Sequence, residues 1–154
     1  MRRAAFFDRD GTINVNFGYV YRPEDLEFIP GMPEIIKGYN DAGTPVIVVS
    51  NQAGIARMVY SEEDMHRFNR HMNTQLEKLY GAHIDAFYYC PHHPDYTGPC
   101  SCRKPAAGLF FQAAKDWEID LPASVMYGDK ESDRIAAQNA GISEFHWVHC
   151  DKNI

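Results

Sequence analysis

Five short apolar runs alternate with helical patterns along these 154 residues, and this alternation limits the folds that the chain can adopt. The runs are rich in β-branched and aromatic residues and are predicted as strands at 4–8, 45–50, 84–89, 125–128 and 145–148. The helical patterns lie between them, at 32–42, 61–80, 107–117 and 132–140. Strands that alternate with helices predict a mostly parallel sheet with helices on both faces. We therefore expect an α/β, Rossmann-like fold.

The helical pattern at 61–80 carries clear signals of its start and of its buried face. It opens with Ser61 and three acidic residues, which is typical of a helix N-terminus. Its apolar positions recur every three or four residues, at Met65, Phe68, Met72, Leu76 and Leu79. This spacing predicts one apolar face in the core.

Length and composition indicate one globular domain spanning residues 1–154. A chain of this length can bury a core of its own, and 45% hydrophobic with 23% charged residues are ordinary values for a globular protein. About twenty residues, 11–31, separate the first strand from the first helix. That is too few for a separate cap domain, so we expect an open site whose loops determine specificity.

Charge and hydropathy argue against two kinds of partner. The net charge of −6 is unlike that of nucleic-acid-binding proteins, which present a basic face. No stretch approaches the roughly 18 apolar residues that cross a bilayer. Met1 to Arg3 lead directly into the first strand, without space for a signal peptide. We expect a cytoplasmic monomer that binds neither nucleic acid nor membranes.

Two carboxylates follow the first strand directly. Asp8 and Asp10 stand at its carboxyl end, before Gly11 and Thr12. In open α/β sheets, ligands bind outside the carboxyl ends of the strands. Because unpaired buried charge is costly there, a nucleophile and a general acid beside a cation explain the pair. Capping of a turn is the alternative role, since Asp is frequent in turns.

Further polar residues stand after the later strands or in loops near them. They are Ser50, Asn51 and Gln52, then Arg103 and Lys104, and then Asp129, Lys130 and Asp133. Plainer roles are open to some of them, since Ser50 can form a turn, the basic pair can be solvated, and Asp133 can cap a helix. Together, however, these acids, the hydroxyl and the lysine suit phosphoryl transfer, which needs an attacking oxygen, a proton donor and positive charge. A hard divalent cation, Mg²⁺ above all, would supply much of that charge.

Three of the four cysteines fall in one short segment. Cys90 and His92 form a Cys-x-His pair, and Cys100 and Cys102 form a Cys-x-Cys pair after seven intervening residues. Four such ligands suit tetrahedral Zn²⁺, and a complete shell of protein ligands indicates a structural metal. On the residues alone, His93 is an alternative ligand, and reduced, unligated cysteines are the alternative state.

These segments together resemble the four ordered motifs of the haloacid dehalogenase superfamily of phosphatases, here Asp8–Thr12, Ser50–Asn51, Lys104 and Gly128–Asp133. Other segments resemble one branch, the D-glycero-D-manno-heptose 1,7-bisphosphate 7-phosphatases of the histidinol-phosphatase-like group. They are Gly18–Val20, Phe28–Gly31, Asn51–Arg57, Tyr89–Pro94 and Cys102–Pro105. The resemblance covers residues 4–148 and implies a haloacid dehalogenase-type fold with no cap domain and with a zinc-binding loop.

The resemblance implies a role for each motif residue. Asp8 would attack phosphorus to give an aspartyl-phosphate, and Asp10 would protonate the leaving alkoxide and then activate water. Mg²⁺ would be held by Asp8, the main-chain carbonyl of Asp10, and Asp129. Ser50 and Lys104 would hold the phosphoryl oxygens.

It also implies the substrate contacts and the zinc ligands. The substrate contacts would be Asn16, Phe17, Gly18, Tyr19, Ser50, Asn51, Gln52, Ala53, Arg103, Lys104 and Lys130. The zinc ligands would be Cys90, His92, Cys100 and Cys102, which selects His92 over His93.

We expect a Mg²⁺-dependent phosphatase that removes the C7 phosphate of heptose 1,7-bisphosphate, in the biosynthesis of nucleotide-activated heptose. A histidinol-phosphate phosphatase is the alternative enzyme, and its cationic substrate would call for an additional acid near the loops. A zinc-stabilised binding module without activity is a third possibility. The complete set of catalytic residues argues against it.

Overall fold

The computed structural model describes residues 1–154 and confirms the predicted parallel sheet. Its five strands are β1 (Ala5–Phe7), β2 (Val46–Asn51), β3 (Ala86–Cys90), β4 (Val125–Gly128) and β5 (Glu144–Trp147). They lie in the order β3-β2-β1-β4-β5, and every neighbouring pair is parallel. This is a Rossmann-type order, with the chain reversing its direction of progress at β1. Each predicted strand lies within two residues of the observed one at both ends.

Five helices connect the strands. They are α1 (Met32–Asp41), α2 (Glu62–Tyr80), α3 (Pro94–Thr97), α4 (Gly108–Trp117) and α5 (Glu131–Ala140), with 3-10 turns at Pro23–Asp25 and Leu121–Ala123. The four longer helices match the predicted patterns to within one residue at each end. The single turn α3 was not predicted, because one helical turn is too short to show a hydrophobic period.

The helices cover the sheet from both sides because the central strands are apolar on both faces. Phe7 and Val48 point to one face, where they share a core cluster with side chains of α1 and α2. Phe6 and Val49 point to the other, against α4 and α5. Successive side chains of a strand point to opposite faces, so these continuous apolar runs produce the three-layered fold.

Helix α2 begins as predicted, but its last turn differs from the prediction. The Ser61 hydroxyl accepts a hydrogen bond from the Asp64 main-chain N–H, and the Asp64 carboxylate accepts one from Ser61 N–H, forming a capping box. Four of the five stripe residues are buried, whereas Leu79 is 60% exposed. The assignment of Leu79 to the core was therefore wrong, because it lies on the last turn, where nothing covers it.

The connection between β1 and α1 leaves the carboxyl edge of the sheet accessible. Residues 11–31 contain turns and the 3-10 turn at Pro23–Asp25, which contacts α2. No cap domain is inserted there, as expected from its length. No helix combines the length and the apolar character needed to cross a membrane.

Candidate active site

The carboxyl ends of β1, β2 and β4 bring the predicted catalytic residues to one place. β1 lies between β2 and β4, so Asp8, Ser50 and Asp129 emerge side by side at this edge. Asp8 is 6% exposed, and its main-chain N–H donates to the carbonyl of Tyr127 at the end of β4. The site is thus built on the central strands of the sheet.

Lys104 reaches this edge from the loop before α4. Its Nζ donates to Asp8 Oδ1 at 2.8 Å and to the carbonyl of Val49 at 2.8 Å. Asn51 holds the main chain of Lys104 through two hydrogen bonds, at 3.0 and 3.2 Å. Burial alone would lower the pKa of Lys104, but the charges of Asp8 and Asp133 raise it above its ordinary value. Lys104 is therefore a fixed positive charge beside the predicted nucleophile.

Asp133 holds this lysine in place, a function that the sequence analysis did not predict. Its Oδ1 accepts from Lys104 Nζ at 2.7 Å, and its Oδ2 accepts from the main-chain N–H groups of Asp129 and Lys130 at 3.2 and 3.1 Å. The expected capping of α5 is present as well. The sequence shows that Asp133 follows Asp129 by four residues, but only the folded structure shows its contact with Lys104. Both carboxylate oxygens of Asp133 are thereby occupied by protein donors.

Asp129 lies against the turn that follows β1. Its Oδ1 accepts a hydrogen bond from the Thr12 hydroxyl at 3.3 Å. Gly11 adopts φ +88°, and a Cβ at this position would stand 2.1 Å from Asp129 Oδ2. The glycine is therefore required both by its left-handed conformation and by the close approach of the carboxylate.

The carboxylates fit a hard divalent cation. Oxygens of Asp8, Asp129 and Asp133 lie within 4.8 Å of one another. Burial, followed by the charge of Asp8, raises the pKa of Asp129 to about 7. For Asp8, burial acts to raise the pKa, yet the charges of Lys104 and Lys130 hold it below its ordinary value. The raised pKa of Asp129 shows that this carboxylate lacks a compensating positive charge beside ionised Asp8. Mg²⁺, which binds oxygen ligands, would supply that charge.

The Asp10 carboxylate is outside this cluster and is held by neutral and cationic donors. Buried Arg9 donates to it from Nε at 3.0 Å and from Nη2 at 3.1 Å. Asn14 and Gln52 donate their amide N–H groups at 3.1 and 3.3 Å. The Arg9 guanidinium also stacks over Phe68 at 4.5 Å and donates to the carbonyl of Val20. This network fixes the position of Asp10 and leaves its main-chain carbonyl as the group that could ligate a metal.

A cavity of about 580 Å³ opens over these residues. Ten of the predicted site residues line it, namely Asp8, Asp10, Asn16, Gly18, Tyr19, Asn51, Ala53, Arg103, Lys104 and Lys130. Ser50 and Gln52 are buried, at 3% and 1% exposure, and do not line the cavity. Gln52 Nε2 donates to Ser50 Oγ at 2.5 Å, so the Ser50 hydroxyl keeps its own proton to donate. Phe17 is exposed outside the cavity.

Besides the ten predicted site residues and Asp133, the cavity is lined by five residues that were not predicted, namely Arg57, Tyr60, His93, Pro105 and Ser132. Arg57 and Tyr60 come from the loop between β2 and α2, and His93 comes from the cysteine-rich segment. The His93 Nδ1 accepts a hydrogen bond from the Asp95 main-chain N–H at 3.1 Å and thereby caps α3. The same residue lines the cavity. Arg57 lies at the end of a segment that resembles the family, which is the signal that could have identified it.

The cysteine segment brings three predicted zinc ligands together. The sulfur of Cys90 lies 2.6 Å from that of Cys102 and 3.5 Å from that of Cys100, and the last two are 3.6 Å apart. Tetrahedral Zn²⁺ with bonds of about 2.3 Å places sulfurs roughly 3.8 Å apart. The two distances to Cys100 are close to this value, whereas the distance from Cys90 to Cys102 is shorter, so these two sulfurs would have to separate to hold the ion. His92 is not among the ligand atoms that lie within 4.8 Å of one another. The structure therefore brings together three of the four predicted ligands.

Main-chain N–H groups lower the pKa of one cysteine of this cluster, whereas burial raises the pKa of Cys90 and Cys102. Burial acts to raise the pKa of Cys100, but hydrogen bonds from the N–H groups of Arg103 and Cys102 lower it below its ordinary value. Arg103 directly follows the last cysteine, and its Nη1 donates to the carbonyl of His92 at 3.4 Å. The cysteine segment is thus joined to the loop that carries Lys104.

Comparison with known proteins identifies relatives of this chain. The family described as polynucleotide kinase 3 phosphatase matches residues 3–151. The D-glycero-beta-D-manno-heptose-1,7-bisphosphate 7-phosphatase of Haemophilus ducreyi is 43% identical over 99% of this chain and 86% of that protein. The protein of the same name from Helicobacter pylori (strain 26695) is 41% identical over 91% of this chain and 80% of its own length.

A solved structure shows the same fold. The D,D-heptose 1,7-bisphosphate phosphatase from B. bronchiseptica, complexed with magnesium and phosphate, superimposes with a TM-score of 0.85. It is 30% identical and the match covers 92% of this chain and 78% of that one. The chain therefore belongs to the family described as polynucleotide kinase 3 phosphatase, and it is a phosphatase of the haloacid dehalogenase type.

Proposed function

We propose that this phosphatase removes the C7 phosphate of D-glycero-D-manno-heptose 1,7-bisphosphate and so serves the biosynthesis of nucleotide-activated heptose. The observation that carries the proposal is the contact of Asp8 with Lys104, at 2.8 Å, inside a cavity that also holds Asp10. The names of the relatives supply the substrate. A cavity of about 580 Å³ is of the size that accepts a small ligand.

Asp8 is the proposed nucleophile. Its carboxylate attacks phosphorus and forms an aspartyl-phosphate, while the bond from phosphorus to the C7 oxygen breaks. Its lowered pKa keeps it ionised, and an ionised carboxylate is the form that can attack. Lys104, which lines the cavity, would turn one of its three N–H donors from the protein to a phosphoryl oxygen and so stabilise the charge of the transition state. Ser50, whose hydroxyl is buried here, would donate to a second phosphoryl oxygen once the phosphate reaches it.

Asp10 is the proposed general acid and base. It donates a proton to the departing C7 alkoxide and afterwards accepts one from the water that hydrolyses the aspartyl-phosphate. The bonds from Arg9, Asn14 and Gln52 hold the carboxylate in one orientation. Because these donors occupy both oxygens, one bond has to be released while Asp10 carries the proton for the leaving group.

Both metals belong to the proposal. Asp8, Asp129 and the main-chain carbonyl of Asp10 would hold Mg²⁺, which supplies positive charge that lets an anionic nucleophile approach an anionic substrate. Cys90, Cys100, Cys102 and His92 would hold a structural Zn²⁺. The proposed action on a small sugar phosphate, with no nucleic-acid partner, agrees with the net charge of −6. The monomeric state and the cytoplasmic location stay predictions.

Phosphate release from a substrate panel tests the proposal. The panel contains heptose 1,7-bisphosphate, histidinol phosphate and a 3′-phosphorylated oligonucleotide, each with Mg²⁺ and with EDTA. We expect the bisphosphate to be hydrolysed with the highest kcat/KM, and we expect EDTA to abolish the reaction. A preference for histidinol phosphate or for the oligonucleotide would refute the substrate assignment.

The Asp8→Asn variant tests the nucleophile. We expect kcat to fall about 1,000-fold or more, because an amide cannot form the acyl-phosphate. Asp151→Asn is the matched control, since that carboxylate is 97% exposed, and it should keep full activity. Equal rates of hydrolysis by Asp8→Asn and the parent would eliminate Asp8 as the nucleophile, and a parent that hydrolyses no phosphate ester would favour a binding module.

A further inference from the structure

One cation of the cavity takes no part in the catalytic network. Arg57 lines the cavity from the loop between β2 and α2 and is exposed to solvent. No carboxylate lies within ion-pair distance of its guanidinium. An exposed arginine is often simply solvated. Arg57 is a candidate for ligand binding only if neighbouring side chains hold its guanidinium in one position.

Two aromatic side chains hold this guanidinium. Arg57 Nη1 donates to the Tyr19 hydroxyl at 2.6 Å, and the guanidinium carbon lies 5.8 Å from the centre of that ring. It also lies 5.4 Å from the centre of the Tyr96 ring, on α3. Tyr19 comes from the turn after β1 and Tyr96 from the cysteine segment, so three separate loops meet at Arg57. Such stacking orients a guanidinium while leaving most of its five N–H donors free.

The other cavity cations already have partners. Lys104 is bonded to Asp8 and Asp133, and Lys130 lies 3.7 Å from Asp129 Oδ2. Arg103 has no carboxylate partner but donates to the carbonyl of His92. The charges of both lysines are therefore matched by carboxylates, and Arg57 and Arg103 are the cavity cations without a carboxylate partner. Of these two, Arg57 is the one that makes no hydrogen bond to a main-chain carbonyl.

This arrangement fits a ligand with two anionic groups. The proposed substrate has one phosphate at the carbon where hydrolysis occurs and a second at the opposite end of the sugar. We propose that Arg57, held between Tyr19 and Tyr96, binds the phosphate that is not hydrolysed and thereby selects bisphosphates over monophosphates. This inference rests on the proposed function, because it identifies a part of the same substrate site.

The experiment compares two substrates with one variant. Arg57→Gln keeps a polar side chain, although a shorter one, and removes the charge. We expect its kcat/KM for heptose 1,7-bisphosphate to fall about 10- to 100-fold, the effect of one charge-assisted contact to phosphate. Its kcat/KM for heptose 7-phosphate, which lacks the second phosphate, should change less than about threefold. Arg67→Gln is the control, because Arg67 is an exposed arginine of α2 outside the cavity, and it should match the parent on both substrates.

A second variant tests the contact between Tyr19 and Arg57. Tyr19→Phe keeps the ring and removes the hydroxyl that receives the Arg57 bond, so the bisphosphate should lose about threefold in kcat/KM and the monophosphate less. Equal losses on both substrates in Arg57→Gln would overturn the inference, and so would an unchanged preference for the bisphosphate. A parent enzyme that hydrolyses both substrates equally well would also refute it, while leaving the phosphatase function intact. A parent that hydrolyses neither would refute the proposed function itself.

Discussion

Gly11 occupies a position where the main chain and the carboxylate of Asp129 approach each other closely. An alanine there would meet two obstacles, the left-handed φ of +88° and the carboxylate oxygen 2.1 Å from its Cβ. We expect Gly11→Ala to displace Asp129 and to lower kcat at least about tenfold, which is the usual size of an effect on metal-site geometry. The concentration of Mg²⁺ that gives half-maximal activity should rise as well, because Asp129 is a proposed ligand.

Gly43 offers a matched control for this prediction. It also has a positive φ, +73°, but nothing lies within 4 Å of the position that its Cβ would take. Gly43→Ala should therefore show only the backbone strain, about 1–2 kcal/mol of unfolding free energy, with unchanged kcat and Mg²⁺ dependence. Similar kinetics for the two variants would mean that the contact with Asp129 has no part in catalysis.

Some residues of this site could be predicted from the sequence and others could not. Asp8, Asp10 and Lys104 were predicted from their places beside strands and a helix, and all three line one cavity. The lysine-holding role of Asp133 was missed, because its partner Lys104 is 29 residues away and only the folded chain joins them. The contacts of Arg57 were missed for the same reason, since they come from two loops distant in sequence.

At the scale of elements, the capping box of α2 links a titrating group to stability. The Ser61 main-chain N–H donates to the Asp64 carboxylate, and this bond lowers the pKa of Asp64. A carboxyl with a lower pKa in the folded than in the unfolded state stabilises the fold above the unfolded pKa. That contribution is lost as the pH falls through the folded pKa.

The Asp64→Asn variant tests this linkage. We expect its Tm to be lower than that of the parent near neutral pH, because the charge is lost from the helix N-terminus. The difference should shrink as the pH falls below about 4, where the parent carboxyl becomes protonated. Thermal unfolding followed by circular dichroism between pH 3 and 7 measures it, with exposed Asp151→Asn as the control. A Tm difference that is constant over this range would contradict the assignment.

The same helix shows why elements were predicted better than their ends. Ser61 and the four buried stripe residues identified the start and the packed face of α2, because capping and periodicity are local properties. Leu79 satisfies the same period, yet it is 60% exposed. Whether a helix face is covered depends on where the sheet and the neighbouring helices end, and this information is not local.

At the scale of the whole molecule, the order of the strands and the contacts between loops determine where the site forms. The alternation of runs predicts a parallel sheet, and the observed order places β1 between β2 and β4, which brings their carboxyl ends together. For the residues after 148, only Cys150 carried a prediction, that of a free thiol, and none was predicted to contact the site. They contact the site nonetheless, since Asn153 donates to the carbonyl of Gly11 at 3.0 Å and accepts from the Asn16 N–H at 2.9 Å.

The cysteine segment supports the opposite side of the cavity, and its proposed zinc can be tested by metal content. Cys102 immediately precedes Arg103 and Lys104, so loss of the metal should let both cations leave their positions. We expect the parent protein to contain zinc and Cys102→Ser to lose it, with a lower Tm and a kcat/KM reduced about 10- to 100-fold. Cys150→Ser is the control, because Cys150 lies outside the cluster, and it should keep both zinc and activity. Retention of zinc in Cys102→Ser would contradict the assignment of Cys102 as a ligand. Full activity after loss of the zinc would show that the metal does not position Arg103 and Lys104.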